Sequence, residues 1–236
     1  LLLYQFENDR IKIRQYEASL DLIALQILAR LPSKATDKEK IRAINQFIFE
    51  EKQFRFPPHS LWAKDIDLYT FLPSVLDSRK GVCLGVSILY LSIAQRLDLS
   101  LDIITPPGHI FIRYNTEELI QNIETTSRGI HFPDKVYLGI NTRKLQERTI
   151  KEVIGLAFIN QASVAWQKGD HESTIELYNQ ALPFLNEDPL LKMFLGYNYL
   201  FVGNIKEGEK LLKEVRNIQL DYSVSLEVTP GDYLDG

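Results

Sequence analysis

Cysteine is all but missing from this 236-residue chain: Cys83 stands alone. One thiol forms no intrachain disulfide and supplies no multi-cysteine zinc module, so the disulfide-stapled secreted class is excluded. Long apolar runs are missing too. The longest, at residues 82–97, is broken by Ser87, Ser92, Gln95 and Arg96. Nothing reaches the roughly 18 residues that a membrane-spanning helix needs. Charge of one sign is not in excess, since 27 Lys and Arg stand against 31 Asp and Glu, a net charge of −4. That mild acidity argues against a nucleic-acid partner, which calls for a basic face. No Walker loop or dinucleotide glycine fingerprint occurs, and no cofactor is expected. No secretory signal is visible, so a cytoplasmic location is expected. The chain opens Leu1-Leu2-Leu3 rather than on Met, which points to a trimmed or processed form whose leader is unreadable. What is present is an ordinary globular balance, 45% hydrophobic and 25% charged. One large or two small domains fit it.

Helical periodicity opens the chain. Leu20, Ile23, Ala24, Ile27, Leu28 and Leu31 share a face over 11–31, and Pro32 stops it. Thr36-Asp37-Lys38-Glu39 is a capping box, followed by an apolar stripe of Ile41, Ile44, Phe47 and Ile48. A short helix is predicted around Leu68–Leu76, with Pro73 awkward inside it. Residues 83–97 are apolar nearly all round, which predicts a central buried helix. Strands are predicted at 101–104, 109–114, 119–124 and, more weakly, 135–140.

From Thr149 the chain reads as helical, beginning with a second capping box, Thr149-Ile150-Lys151-Glu152. Gly169-Asp170 and Gly203-Asn204 are 34 residues apart, and the same offset pairs Ala162 with Gly196, Leu177 with Leu211 and Tyr178 with Leu212. That period, with small residues early and a Gly turn, is the tetratricopeptide pattern. Four antiparallel helices are predicted over 149–218. The organisation expected is a core at 1–145, a repeat pair at 146–218 and a tail at 219–236.

One constellation can carry chemistry. Cys83 lies where a Gly-flanked turn enters a helix, and amides at a helix N-terminus favour a thiolate. Taken alone, a free cysteine is more often a buried structural residue than a catalytic one. His109 opens a strand after Pro106-Pro107-Gly108. With a hairpin loop at 115–118, Tyr114 pairs with Leu119 and His109 falls opposite Glu124, where a carboxylate can orient the imidazole. Asn122 shares that face and is a second orienting candidate. The Cys83 backbone N–H is an oxyanion-donor candidate, and a side chain on 41–53 is a candidate for the second donor.

Helix-start Cys83, strand-start His109 and Glu124 on the next strand resemble the core of the transglutaminase-like, papain-related superfamily. More narrowly, FLPSVLDSRKGVCLGVSILYLSIAQR with PPGHIFIR and then NIE resembles the bacterial SirB-type transglutaminase-like proteins, which carry a paired helical repeat after the core. The superfamily acid is usually Asp in an Asp-Pro context, whereas here it is Glu124 in Asn-Ile-Glu-Thr. The resemblance implies an α+β fold: helices on a small antiparallel sheet, followed by an all-α repeat pair. It also implies a catalytic triad of Cys83, His109 and Glu124. The activity expected is a protease or amidase, or an amine transferase, working on a protein or peptide. The competing expectation is a non-catalytic scaffold that binds a partner in the repeat groove. His59 reads as a loop residue, His131 as a weaker cleft candidate and His171 as part of the repeat turn. A zinc site from Cys83, His109 and His131 lacks the close-spaced ligand pairs of such sites, so no metal is expected.

Overall fold

A computed structural model of the chain describes residues 9–57, 68–106, 108–138 and 145–217, together with Pro230 and Leu234. His59, residues 139 and 140 of the strand predicted at 135–140, and all of the tail but Pro230 and Leu234 lie outside the described residues. Two compact units result: Leu1–Tyr137 with Gln146–Arg148, and Leu138–Leu145 with Thr149–Gly236. They are called the core unit and the helical unit below.

The core unit begins with α1, Arg10–Leu28, which buries Ile13, Leu20, Ala24 and Ile27 on one face. Next comes α2, Asp37–Asn45, whose predicted capping box is formed: Glu39 N–H donates to Thr36 Oγ1 and Thr36 N–H donates to Glu39 Oε2. The helix runs on as a π-helical turn, Gln46–Glu51. Its wider coil turns three successive side chains inward, Phe47, Ile48 and Phe49. In α3, Leu72–Ser78, Pro73 lies in the first turn, where its missing N–H costs no intrahelical bond. At the centre is α4, Cys83–Arg96, buried from Leu84 to Tyr90 without a break. It packs against α1, α3 and the sheet.

The sheet is antiparallel, in the order β3-β2-β1-β4, with β1 at Asp102–Thr105, β2 at Phe111–Asn115, β3 at Ile120–Ile123 and β4 at Gln146–Arg148. Two expectations need correction. The segment predicted as a strand from 135 is instead a 3-10 turn, Asp134–Val136. The strand that completes the sheet is β4, three polar residues just ahead of the helical run expected from Thr149, in the segment assigned to the repeat pair. A three-residue edge strand exposes most of its surface and carries no alternation to read.

Among the described residues the helical unit runs through α5 (Ile150–Gln167), α6 (His171–Leu185), α7 (Pro189–Phe201) and α8 (Ile205–Glu214). Consecutive helices pack on one another. The α5–α6 and α7–α8 turns pass through Gly169 and Gly203, at φ of 73° and 79°. Both are left-handed positions that end a helix and suit glycine. Phe158, Ala162, Tyr178, Ala181, Leu185, Leu191 and Leu195 form the buried seam. Where Ala162 lies in the first hairpin, Gly196 lies in the second, against Leu212 and Gly208.

Candidate active site

Local backbone structure sets Cys83. Arg55 N–H donates to Arg79 O at 2.9 Å and Gly81 N–H to Arg55 O at 3.1 Å, a short parallel bridge that feeds the chain into α4. Val82 N–H then donates to Tyr69 O at 3.0 Å. Val82 is extended and provides no capping side chain, so Cys83 is the first residue of a helix whose leading amides have no side-chain acceptor there. Gly85 permits the approach: a β-carbon there would sit 2.2 Å from Tyr69 O.

His109 is held just ahead of β2 by its N–H, which donates to Pro106 O at 3.1 Å across Gly108. Its Nε2 lies 2.7 Å from Glu124 Oε2, and the Cys83 side chain is near enough to help raise its pKa. With Nε2 committed to the carboxylate, Nδ1 is the ring nitrogen left for the thiol.

The expected cross-strand pairing is shifted by two. Tyr114 pairs with Gln121 and Asn115 with Ile120, so partner numbers sum to 235 rather than 233 and the loop is 116–119. Thr116 closes that loop by accepting from Leu119 N–H at 3.1 Å. A shift of two leaves every side chain on its own face. Glu124 is therefore a diagonal neighbour of His109 rather than its direct opposite, and the longer glutamate side chain spans the difference.

Glu124 is only 3% exposed, yet its carboxylate is fully engaged. Oε1 accepts from Thr126 N–H at 3.1 Å and Thr126 Oγ1 at 2.7 Å, and Oε2 accepts from Tyr137 OH at 2.8 Å as well as facing His109. Burial works to raise its pKa, but the bond and charge of His109, with Thr126 and Tyr137, hold it below the usual carboxylate range. For His109, burial disfavours the imidazolium. Interaction with the Cys83 side chain and with the Glu124 carboxylate outweighs it and raises the pKa to about 10.

Asn122 does not serve as the orienting group expected of it. It is fully buried, its Oδ1 accepts from Arg113 Nε at 2.8 Å, and its Nδ2 donates to Phe132 O and Asp134 Oδ1. His131 is used structurally: its Nδ1 accepts from Asn122 N–H at 3.0 Å. His171 meets Asn198 in the helical unit at 2.8 Å, far in sequence from the triad residues. Among the described residues, no three His, Cys, Asp or Glu side chains converge as a metal site. No described helix is long and apolar enough to cross a membrane.

Two groups around Glu124 escape a reading of the sequence. Thr126 had a local signal, because a carboxylate two residues ahead of an N–H can cap it. Tyr137 had none, lying in a segment that reads as strand.

A transglutaminase-like superfamily profile matches residues 14–136, just over half of the chain, from within α1 through β3 to the 3-10 turn. The chain belongs to the transglutaminase-like superfamily. Membership carries with it the papain-like thiol-enzyme fold, in keeping with the helices and small antiparallel sheet seen here. No curated protein matches the sequence. Among solved structures, the chain is similar to menin, in a crystal structure that reveals menin's binding site for the Mixed Lineage Leukemia (MLL) protein. The identity is 13% and the TM-score 0.50, with 88% of this chain and 61% of that one covered. This chain thus spans less than two thirds of menin's length, and the likeness is one of fold.

Proposed function

We propose that this transglutaminase-like core is a thiol catalyst of acyl transfer from an amide, with Cys83 as nucleophile, His109 as acid and base, and Glu124 orienting His109. The observation that carries it is His109 Nε2 at 2.7 Å from a buried, ionised Glu124, with the Cys83 side chain close enough to act on the same imidazole. His109 Nδ1 holds the proton taken from the thiol, and Sγ bonds to the substrate carbonyl carbon. The carbonyl oxygen gains negative charge, and the Cys83 N–H at the uncapped start of α4 faces it as a donor. The C–N bond breaks, the amine leaves with the proton from His109, and a thioester remains. Water attacking that thioester gives a protease or amidase; a second amine gives a transferase. We favour hydrolysis of a protein or peptide.

The finer family reading is the SirB type, supported by the Pro-Gly-His turn and the Arg79-to-Gly85 block. The helical unit is read as a tetratricopeptide pair, supported by glycine turns 34 residues apart. Residues 1–145 are proposed as the catalytic domain, 146–218 as the repeat pair and 219–236 as the tail.

Iodoacetamide alkylation of Cys83 against pH tests the catalytic reading. A helix-start thiol paired with an imidazolium alkylates rapidly well below the ordinary thiol pKa of about 8.5. His109→Ala should slow alkylation near neutral pH by roughly 10-fold or more, the size of a lost charge-assisted bond. A thiol that is inert at every pH until the protein unfolds, and indifferent to His109→Ala, would replace the enzyme with the scaffold reading.

A further inference from the structure

We propose that Tyr137 is a positioning residue of the site: its hydroxyl shares Glu124 Oε2 with His109 Nε2 and thereby keeps that carboxylate ionised, so that Nε2 stays its donor and Nδ1 is the nitrogen that exchanges a proton with Cys83. The proposal rests on the catalytic reading of Cys83 and His109, but its physical content, the protonation of Glu124 and His109, stands apart from it.

The donors decide the charge. Thr126 N–H is a backbone donor and can only donate, and it points at Oε1 from 3.1 Å. Thr126 Oγ1 lies 2.7 Å from the same oxygen. Tyr137 OH, at 2.8 Å, has one proton and one carboxylate oxygen to give it to. A carboxylate 3% exposed and met by three such donors has no reason to hold a proton of its own. His109 Nε2 must then be the donor in the 2.7 Å bond. That leaves Nδ1 as the nitrogen that exchanges a proton with Cys83, the arrangement a general acid and base needs. Without the tyrosine, Oε2 keeps only the imidazole, and a proton shared along that bond can settle on the carboxyl.

Tyr137 is delivered there by a clamp. It ends the 3-10 turn, with its N–H donating to Asp134 O at 2.9 Å. Asp134 Oδ1 is gripped by Arg113 Nη2 from β2 at 2.6 Å and by Asn122 Nδ2 from β3 at 2.7 Å. Asn122 also holds Phe132 O at 2.8 Å. The two strands that position His109 and Glu124 thus also position Tyr137. Its ring stacks on Phe111 at 4.2 Å between centroids and lies within 19° of the His109 plane. The charged and titratable groups facing Glu124 are then accounted for: His109 ahead of β2, Cys83 beyond it on α4, and Tyr137 after the turn. Arg113 and Asp134 neutralise each other.

The test is Tyr137→Phe, which keeps the ring and removes the donor. Two profiles are read: Cys83 alkylation by iodoacetamide from pH 3 to 9, and the carboxyl-carbon NMR titration of Glu124. Loss of one net hydrogen bond to the anion should move the Glu124 titration up by about one pH unit. The acid limb of alkylation should follow it, so the deficit grows as pH falls and reaches about 10-fold. A deficit equal at every pH, or an unmoved Glu124, would mean that Tyr137 only packs, and would overturn the proposal. If Tyr137→Phe fails to fold, 3-fluorotyrosine at 137, a stronger donor of nearly the same size, should move both profiles the opposite way; an unmoved profile overturns the proposal equally. The two readings fail separately. If His109→Ala slows alkylation but Tyr137→Phe leaves Glu124 unmoved, the catalyst stands and the positioning role falls. If His109→Ala changes nothing, the catalyst falls and the Glu124 titration still decides Tyr137.

Discussion

The core unit and the helical unit obey local rules to different degrees. Among the described residues, every non-glycine with positive φ is in the core unit: Gln53, Arg79, Asp98 and Arg128. In the helical unit the left-handed positions are glycines. The core also holds the π-helical turn and buries Thr70, Ser87, Asn122, Glu124 and Thr125. Buried polar side chains of the helical unit donate one turn back along the chain: Thr174 Oγ1 to Asp170 O, and Asn198 Nδ2 to Phe194 O. Left-handed non-glycine residues cost on the order of 1 kcal/mol each and persist where the surroundings over-determine them. Two of the four flank the site. Arg79 caps α3 and starts the approach to Cys83, and Arg128 ends the turn that Glu124 caps. The difference teaches that local cost concentrates where side chains must converge, while the repeat is built from choices that agree with the fold.

The largest test of that contrast removes one buried polar group from each unit. Glu124→Ala leaves His109, Tyr137 and Thr126 without their acceptor and should destabilise the core by about 3 kcal/mol or more. Asn198→Ala loses one bond within α7 and one to His171, and about 1–2 kcal/mol is expected. Native-state hydrogen exchange reads the two units separately. Equal losses would dissolve the distinction.

Next comes pH. His109 loses its proton near the ordinary 6.5 when unfolded and near 10 when folded. Its contribution is whole below 6.5, declines as pH rises, and is gone by about 10. Glu124 runs the other way: its share is present above the ordinary 4.5 and is lost as pH falls through its depressed value. The pair therefore helps most between about 4.5 and 6.5. The stability gap between the wild-type core and His109→Ala should be about 2 kcal/mol in that window, discounted for a partly exposed imidazole, and should close toward pH 10. A gap constant with pH would mean that His109 acts by packing alone. Protection in the helical unit supplies the baseline.

A third pair compares glycines. Gly85→Ala forces a β-carbon against the backbone carbonyl of Tyr69, which cannot swing aside, and should cost about 2–3 kcal/mol while slowing Cys83 alkylation. Gly196→Ala meets Leu212 side-chain atoms at 3.0 and 3.1 Å, which can give, and should cost about 1 kcal/mol or less. Thermal unfolding of both variants checks the order.

Legibility followed the same division. Both capping boxes, the all-round apolar α4 and the glycine turns rest on residues close in sequence, and they were readable there. So was the face shared by His109 and Glu124. A loop misplaced by one residue shifts both strands together and preserves the alternation, so the contact survived a wrong register. What was hidden depends on distant chain. Tyr137 reaches Glu124 only because Arg113 and Asn122 clamp Asp134. β4 is a strand only because β1 offers its edge. The π-helical turn shares its helix with ordinary α2, and nothing in Gln46–Glu51 announces the wider coil. Asn122 was misassigned because sharing a face is necessary for a contact and does not choose among competing partners.

The smallest effects test whether the two hairpins of the helical unit are repeats of one another. Gly169 and Gly203 sit at φ of 73° and 79°, and a β-carbon at either meets nothing within 4 Å. Alanine therefore adds no clash at either place, only the backbone cost of a left-handed residue, about 1 kcal/mol. Gly169→Ala and Gly203→Ala should lower stability equally to within a few tenths of a kcal/mol, as read by hydrogen exchange in α5–α8. Asparagine at either position should recover part of the loss, since its short polar side chain tolerates that conformation. The residues that follow should not behave alike. Asp170 accepts from Ser173 N–H at 3.0 Å, whereas Asn204 makes no side-chain cap. Asp170→Ala should open the first turn of α6 to exchange, and Asn204→Ala should leave α8 as it was. Equal glycines with unequal caps would mark one ancestral turn whose second copy has lost its cap; unequal glycines would mean two unrelated hairpins that happen to share a spacing.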